Sequence, residues 1–396
     1  MWRAGESPTR SSMLAGTTTA VTLDRAVQFG PFKYPLHVRS GSGAWDELAR
    51  RLASLGADRF ALVADEGVPA HLAAEVQACL RSTGVPVITI QAQAREDAKT
   101  WAAAGEVMAQ ITGGGATRQS VVIALGGGTV GNLAGLAAAL VFRGIRFVNL
   151  PTTFLAASDS ALSLKQGVNG PDGKNHLGTF WAPELVWCEL AFLAALPADE
   201  IRSGLCELVK NALVITPGGA EWAAGRLRPD ARYTPAELCE FIDFCVSAKT
   251  TVMRHDEHER REALALEYGH TTGHAVEFIG GIRHGYAVGL GMLAAGGVAA
   301  EMGFLPAEDL AVHRALLAAN GAPLTIPADM ATADILAAMR RDNKRGYLPP
   351  RRGHIDMVLL SGLGGAARDG GPFLTQVPER IAARAIDQQL RPGSAP

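Results

Sequence analysis

The stretch Glu267-Tyr-Gly-His270-Thr-Thr-Gly-His274 places a carboxylate and two imidazoles in one short segment. His270 and His274 are four residues apart, so a helix projects both from one face, and Glu267, three residues before His270, would share it. A His-x-x-x-His pair can present two imidazoles to one divalent ion, or it can be a polar patch on a buried helix. The spacing leaves both readings open, and residues far away in the chain must decide.

A second chemical signal lies upstream. Ser120-Val-Val-Ile-Ala-Leu125 reads as a buried strand, running into Gly126-Gly127-Gly128-Thr129-Val130-Gly131-Asn132 and then an Ala-rich helix from Leu133 to Phe142. Glycines let backbone N–H groups approach a pyrophosphate, and the following helix N-terminus favours its negative charge. Gly126, Gly128 and Gly131 meet the dinucleotide spacing, but no Asp or Glu lies between Asn132 and Ser158. The acidic residue expected about 20 positions on is therefore missing. The ribose carboxylates are expected upstream instead, from Asp65 and Glu96.

The elements that must position these groups follow from pattern. Residues 22–60 hold an extended segment and a helix from Trp45 to Leu55, with Gly56 as its stop. Arg59–Ala64 reads as a strand ending at Asp65, Val85–Ile90 as a second, and Phe147–Leu150 as a later one. The last opens into Pro151-Thr152-Thr153, and from Ser160 to Gly178 a loop carries Lys165, Asn169, Lys174 and Asn175. Helical patterns dominate beyond Leu190. One helix starts at Pro197 and carries Glu207 and Lys210 on one face. Another, Pro235–Met253, carries Lys249 behind the N-cap candidate Thr234. The helix bearing His270 is expected to begin near Ala263. An apolar helix spans Ala287–Met302, a surface helix Ala333–Asp342 stops at Gly346, and Met357–Leu360 reads as a late strand.

Composition narrows the class. A chain of 396 residues suggests two domains. A net charge of −2 offers no basic footprint for nucleic acid, and no apolar run has the length of a membrane span. Five scattered cysteines without a Cys-x-x-Cys pair fit reduced, buried thiols in a cytoplasm. Met1–Val21 is rich in Ser and Thr without an apolar core and is expected to be a flexible tail rather than a signal peptide.

Taken together, Gly126–Asn132, Pro151-Thr-Thr153, Asp159…Lys165, Gly173-Lys-Asn175, Glu207-Leu-Val-Lys210, Gly269–His274 and His284-Gly285 resemble the sugar-phosphate cyclases, the superfamily that contains 3-dehydroquinate synthase. The resemblance runs in order from about Asp65 to Gly364. It implies an α/β NAD-binding domain over 22–195 and a mostly α-helical metal and substrate domain over 196–385, between tails 1–21 and 386–396, with the active site in the cleft. It further implies one divalent metal, zinc or cobalt, on Glu207, His270 and His284, leaving His274 as a polar catalytic group beside the ligands. Asp65, Glu96, Lys99, Gly127, Gly128, Thr129, Gly131, Asn132, Thr152, Thr153, Lys174 and Asn175 would contact NAD. Asp159, Lys165, Lys210, Lys249 and Lys344 would line the substrate pocket. A homodimer is implied by the resemblance alone.

Two departures narrow the member. Where dehydroquinate synthases carry an Arg and, four residues on, an Asn, this chain has Ala263 and Glu267. A Glu would repel a substrate carboxylate and no guanidinium remains to bind one. Glu267, with Phe154–Ser160, Cys206–Asn211 and Asp342–Tyr347, resembles the members that turn D-glucose 6-phosphate into 2-deoxy-scyllo-inosose, on the way to 2-deoxystreptamine aminoglycosides. In that chemistry NAD takes hydride from C4 with the metal polarising the oxygen. Loss of the C5 proton and of phosphate follows, hydride returns, and the opened sugar closes by an aldol step. Lys165, Lys210 and Lys344 would meet the phosphate, while Glu267 and Lys165 are both candidates for proton transfer. The rivals are a sedoheptulose 7-phosphate cyclase, 3-dehydroquinate synthase itself, a polyol dehydrogenase that releases NADH, and a non-catalytic NAD or sugar-phosphate sensor that need not keep the metal residues.

Overall fold

The computed structural model describes residues 20–171, 173–366 and 374–391. The expected tail over 1–21 lies outside the described residues except for Ala20 and Val21. Residues 22–39 are more ordered than an extended segment: β1 (Thr22–Phe29) and β2 (Phe32–Arg39) pair as an antiparallel hairpin. Then come α1 (Ala44–Ser54), β3 (Phe60–Asp65), α2 (Ala70–Ser82), β4 (Val87–Ala92), α3 (Trp101–Gly113), β5 (Val121–Gly126), α4 (Gly128–Leu140) and β6 (Arg146–Pro151).

β7 (Lys165–Gly170) and β8 (Gly173–Phe180) make a separate two-stranded hairpin where the sequence reading expects a loop. β9 (Leu185–Glu189) then completes a seven-stranded sheet in the order β1-β2-β9-β6-β5-β3-β4. Every residue of β3 and β5 is buried, as parallel strands covered by helices on both faces require. The chain steps outward from β3 to β4 and then crosses back over β3 to β5, both neighbours being parallel to β3. The order thus reverses between β3 and β5, and the crevice at their C-terminal ends is where such sheets take ligands.

The rest is helical: α5 (Leu190–Ala194), α6 (Ala198–Val214), α7 (Gly219–Ala224), α8 (Pro235–Met253), α9 (His270–Gly280), α10 (His284–Glu301), α11 (Ala307–Ala319) and α12 (Thr332–Met339). Short strands follow, β10 (His354–Val358), β11 (Leu360–Gly362), β12 (Gly365–Ala366) and β13 (Leu374–Pro378), before α13 (Glu379–Leu390). Thr234 caps α8 as expected, in a full capping box with Glu237. α10 is buried along nearly its whole length and packs on α6, α9, α11 and α13, which makes it the axis of this half. α13 carries buried Ile386 and Leu390, so the chain stays in the core past 385 and the expected tail begins too early. Residues 392–396 lie outside the described residues. Among the described residues, no helix is long and apolar enough to cross a membrane, and all five cysteines are free and buried.

Candidate active site

Glu207 on α6, His270 on α9 and His284 on α10 come together from three helices. One ligand atom from each lies within 4.8 Å of the others. Glu207 is 0% exposed. Its neighbours are Lys210 Nζ, in ionic contact at 2.5 Å from Oε2, and the Nε2 atoms of His270 and His284 at 3.6 and 3.5 Å from Oε1. The other ring nitrogens are occupied: His270 Nδ1 faces the Tyr268 carbonyl at 3.1 Å and His284 Nδ1 faces Glu277 Oε2 at 3.0 Å. Both acceptors take the Nδ1 proton, so Nε2 is the nitrogen through which each ring, once Nε2 is deprotonated, can bind a cation. One carboxylate and two such imidazoles fit a divalent cation of the zinc type with further positions open.

The two histidines are held in opposite electrostatic settings. Burial, aided by Lys210, pushes His270 down to about 3. At His284 burial also acts downward, but Glu277 and Glu207 outweigh it and raise the ring to about 10.

The trio depends on close helix packing. A Cβ at Gly285 would overlap the backbone carbonyl of Ser203 on α6. Gly285→Ala should therefore push α10 off α6 and part His284 from Glu207. The expected result is a loss of about 1–3 kcal/mol of stability together with weakened metal binding, read by thermal unfolding and metal titration. An unchanged melting temperature would show that the helices have room to separate.

Glu267 does not share a helical face with His270. It ends a 3-10 turn (Glu262–Glu267), and Tyr268 (ψ 130°) and Gly269 (φ 80°) break the chain before α9 starts at His270, not near Ala263. A positive φ at 269 favours glycine, and a Cβ there would also meet the Val288 carbonyl at 2.9 Å. The turn is fixed from behind: buried Tyr268 donates its hydroxyl to His313 Nε2 at 2.8 Å, and His313 Nδ1 in turn meets the Asp309 carbonyl at 2.7 Å.

The break redirects Glu267 to the cations. Its Oε1 is 3.2 Å from Lys165 and its Oε2 3.2 Å from Lys344. Burial alone would raise its carboxyl, but Lys344 and Lys165 win and hold it well below the usual range. His274, one turn beyond His270, packs its ring edge-on against His270, centroids 5.2 Å apart, and meets Asp342 Oδ2 at 3.2 Å through Nδ1, so it adjoins the trio without joining it.

The lysines are not a free cationic cluster. Lys344 is shared between Asp342, at 2.7 Å, and Glu267. Lys165, with 45% of its side chain exposed, is shared between Glu259 and Glu267. Lys249 lies 2.9 Å from Asp159, which a short π-helical segment (Ala156–Ser160) presents. Sequence reasoning passes over Glu259, Glu277 and Asp342 as site residues. Glu259 sits in a charge-rich run, Arg254–Glu262, whose composition gives no local sign of burial. In fact Asp256 accepts the backbone N–H groups of Arg260, Arg261 and Ala263, folding that run inward so that Glu259 is 5% exposed.

The glycine loop lies at the sheet's switch point. α4 begins at Gly128 rather than Leu133, so Gly128, Thr129, Gly131 and Asn132 form its first turns, with Gly127 as N-cap and no side-chain cap. A Cβ at Gly128 would press on Ser160 Oγ at 3.0 Å. Asp65 closes β3 alongside, 6% exposed, and burial raises its carboxyl. Thr152 Oγ1 is fully buried without a partner, whereas Thr153 Oγ1 accepts the Ala156 N–H. An uncapped helix start beside an orphaned hydroxyl and a buried carboxylate fits a dinucleotide. The β7–β8 hairpin closes on this crevice. Lys99 reaches Asn175 Oδ1 at 2.5 Å, Asn169 donates to Glu96 Oε1 at 2.9 Å, and Lys174 lies 3.2 Å from Glu96. Burial pushes Lys99 down to about 8.

Comparison with known proteins agrees with this architecture. Residues 89–203 match the 3-dehydroquinate synthase N-terminal family and residues 204–345 its C-terminal family. The chain belongs to the 3-dehydroquinate synthase-like sugar-phosphate cyclases, with their α/β N-terminal domain and helical C-terminal domain. Within that group it is similar to 2-deoxy-scyllo-inosose synthases. The enzyme of Streptoalloteichus tenebrarius is 42% identical over 371 residues, 93% of this chain and 94% of that one. A solved 2-deoxy-scyllo-inosose synthase, complexed with carbaglucose-6-phosphate, NAD+ and Co2+, is 33% identical with a TM-score of 0.86, covering 93% of this chain and 100% of its own. A 2-epi-5-epi-valiolone synthase from Streptomyces hygroscopicus with NAD+ and Zn2+ bound is 25% identical with a TM-score of 0.77, over 91% of this chain and 98% of its own.

Proposed function

We propose that this protein cyclises D-glucose 6-phosphate to 2-deoxy-scyllo-inosose with release of phosphate. That makes it a carbon-oxygen lyase, with a place in 2-deoxystreptamine aminoglycoside biosynthesis. The observation that carries the choice of substrate is Glu267, an ionised carboxylate between Lys165 and Lys344, next to a position 263 that offers only a methyl group. A hydroxyl-rich sugar suits that carboxylate and a second acid does not. The 42% identity to curated synthases of this reaction supports the same choice.

NAD and one divalent ion, zinc or cobalt, are the cofactors, and when bound they supply a reversible hydride acceptor and a Lewis acid. The residues have separable tasks. Glu207, His270 and His284 hold the ion. The first turn of α4 takes the pyrophosphate, and Asp65 and Glu96 take ribose hydroxyls, with Lys99, Thr152, Thr153, Lys174 and Asn175 around them. Lys249 keeps Asp159 ionised and aimed. Lys165, the most exposed of the site lysines, is free to turn from Glu259 towards the substrate phosphate, while buried Lys344 fixes Glu267 from the other side. Glu267 accepts sugar hydroxyls. The protein acts as a cytoplasmic homodimer, consistent with its reduced cysteines and its resemblance to the cyclases.

The test is incubation with glucose 6-phosphate and catalytic NAD. Stoichiometric phosphate and the deoxy-inosose carbocycle are expected, with no net rise in NADH absorbance, from a preparation with the mass of a dimer. NADH accumulating in proportion to product would identify a dehydrogenase instead.

A further inference from the structure

Glu277 on α9 is assigned above to neither substrate nor cofactor. Its side chain is 10% exposed and serves two partners. Oε2 takes the His284 Nδ1–H at 3.0 Å, and Oε1 is in ion-pair contact with Lys174 on β8. Lys174, itself 12% exposed, also lies 3.2 Å from Glu96 Oε1. One continuous line of charges thus runs from Glu96, at the dinucleotide crevice, through Lys174 and Glu277 to His284 in the metal trio. It crosses the cleft between the sheet half and the helical half. Glu277 and Lys174, 10% and 12% exposed, are the least hydrated members, so losing either partner leaves the other poorly compensated.

We propose that Glu277 is a positioning residue for His284, and that the Lys174–Glu277 pair couples occupancy of the metal site to occupancy of the dinucleotide site. This rests on the assignment above of His284 to the metal and of Glu96 and Lys174 to NAD. A cation on His284 Nε2 draws electron density from the ring and makes Nδ1–H a stronger donor. The bond to Glu277 tightens and fixes that carboxylate. Glu277 then fixes Lys174, and with it the hairpin and Glu96 that must hold the ribose. The same contacts act in reverse when NAD orders the hairpin first, because coupling between two binding sites is reciprocal.

The experiment is Co2+ titration of metal-free protein, with and without saturating NAD, read by the absorption of bound Co2+ and by calorimetry in the absence of substrate. In the wild type, NAD should raise Co2+ affinity about 5- to 10-fold. Glu277→Gln, nearly the same shape, should lower Co2+ affinity about 10- to 100-fold and abolish the NAD effect. Lys174→Met removes the link between the two sites while leaving the His284–Glu277 bond, and should abolish the NAD effect on Co2+ affinity at NAD concentrations that calorimetry shows to saturate the variant. A purely structural ion pair would lower the melting temperature and change neither affinity. Normal Co2+ binding in Glu277→Gln, alongside loss of Co2+ in His284→Ala, would overturn the positioning role while leaving the metal assignment standing. An NAD effect of equal size in wild type and both variants would overturn the coupling. Normal Co2+ binding in His284→Ala would instead overturn the metal assignment itself.

Discussion

Replacing His270 with alanine should empty the metal site and stop turnover together. His270 supplies one of three ligand atoms, and its ring is fixed by the Tyr268 carbonyl at 3.1 Å. Without it, Glu207 and His284 remain, but Lys210 already stands 2.5 Å from Glu207 Oε2. An ammonium at that distance competes for the carboxylate, and two donors do not outbid it. Metal affinity should fall by more than the roughly 100-fold expected when only an outer-shell partner is lost. Product formation should fall about 10³-fold or further, since Lewis-acid stabilisation is worth several kcal/mol. Metal content by atomic absorption and phosphate release on the same sample check both halves. Full metal occupancy in the variant would rule out the ligand assignment.

The second large effect concerns Glu267. Its carboxyl is held well below the usual range because Lys344 and Lys165 more than offset its burial. It is therefore ionised across the working pH range and acts as an acceptor for hydroxyls, not as a resting-state acid. Glu267→Gln keeps the shape and removes the charge. Lys165 and Lys344 then lean on Glu259 and Asp342 alone. Loss of a positioned carboxylate should cost about 10²- to 10³-fold in kcat/KM, with NAD and metal still bound.

Substrate choice follows from the same charges. Each of the two lysines is already shared between two carboxylates, and position 263 carries no cation. A second substrate anion near Glu267 should be disfavoured by on the order of 10³-fold. The ratio of kcat/KM for glucose 6-phosphate to that for the carboxylated seven-carbon substrate of dehydroquinate synthase measures this. The ratio should be large in the wild type and shrink in Glu267→Gln. Equal efficiency on both substrates in the wild type would sink the argument.

The elements with strong local signals were legible in the chain: the buried parallel strands, the capped α8, and the strand–glycine–helix order around Gly126. Apolar continuity, Pro and Thr at a helix start, and glycine clusters are local, so they survive without tertiary context. The ligand pairing of Glu207, His270 and His284 was reachable from sequence only through the resemblance of scattered motifs, because 77 positions separate Glu207 from His284 and nothing local joins them.

Three features belong to the tertiary structure alone. The helical face expected to unite Glu267 with His270 is broken at Gly269, since burying Tyr268 against His313 demands a turn there. The loop from Lys165 to Gly178 is a hairpin, held to the crevice by Lys99, Glu96 and Glu277, partners distant in sequence. Lys165, Lys210 and Lys344, expected to meet the phosphate, are already matched by Glu259, Glu207 and Asp342. Charge type can be read from a sequence, but which opposite charge faces it, and with how little water between, is decided by packing, and that pairing sets what each group can do.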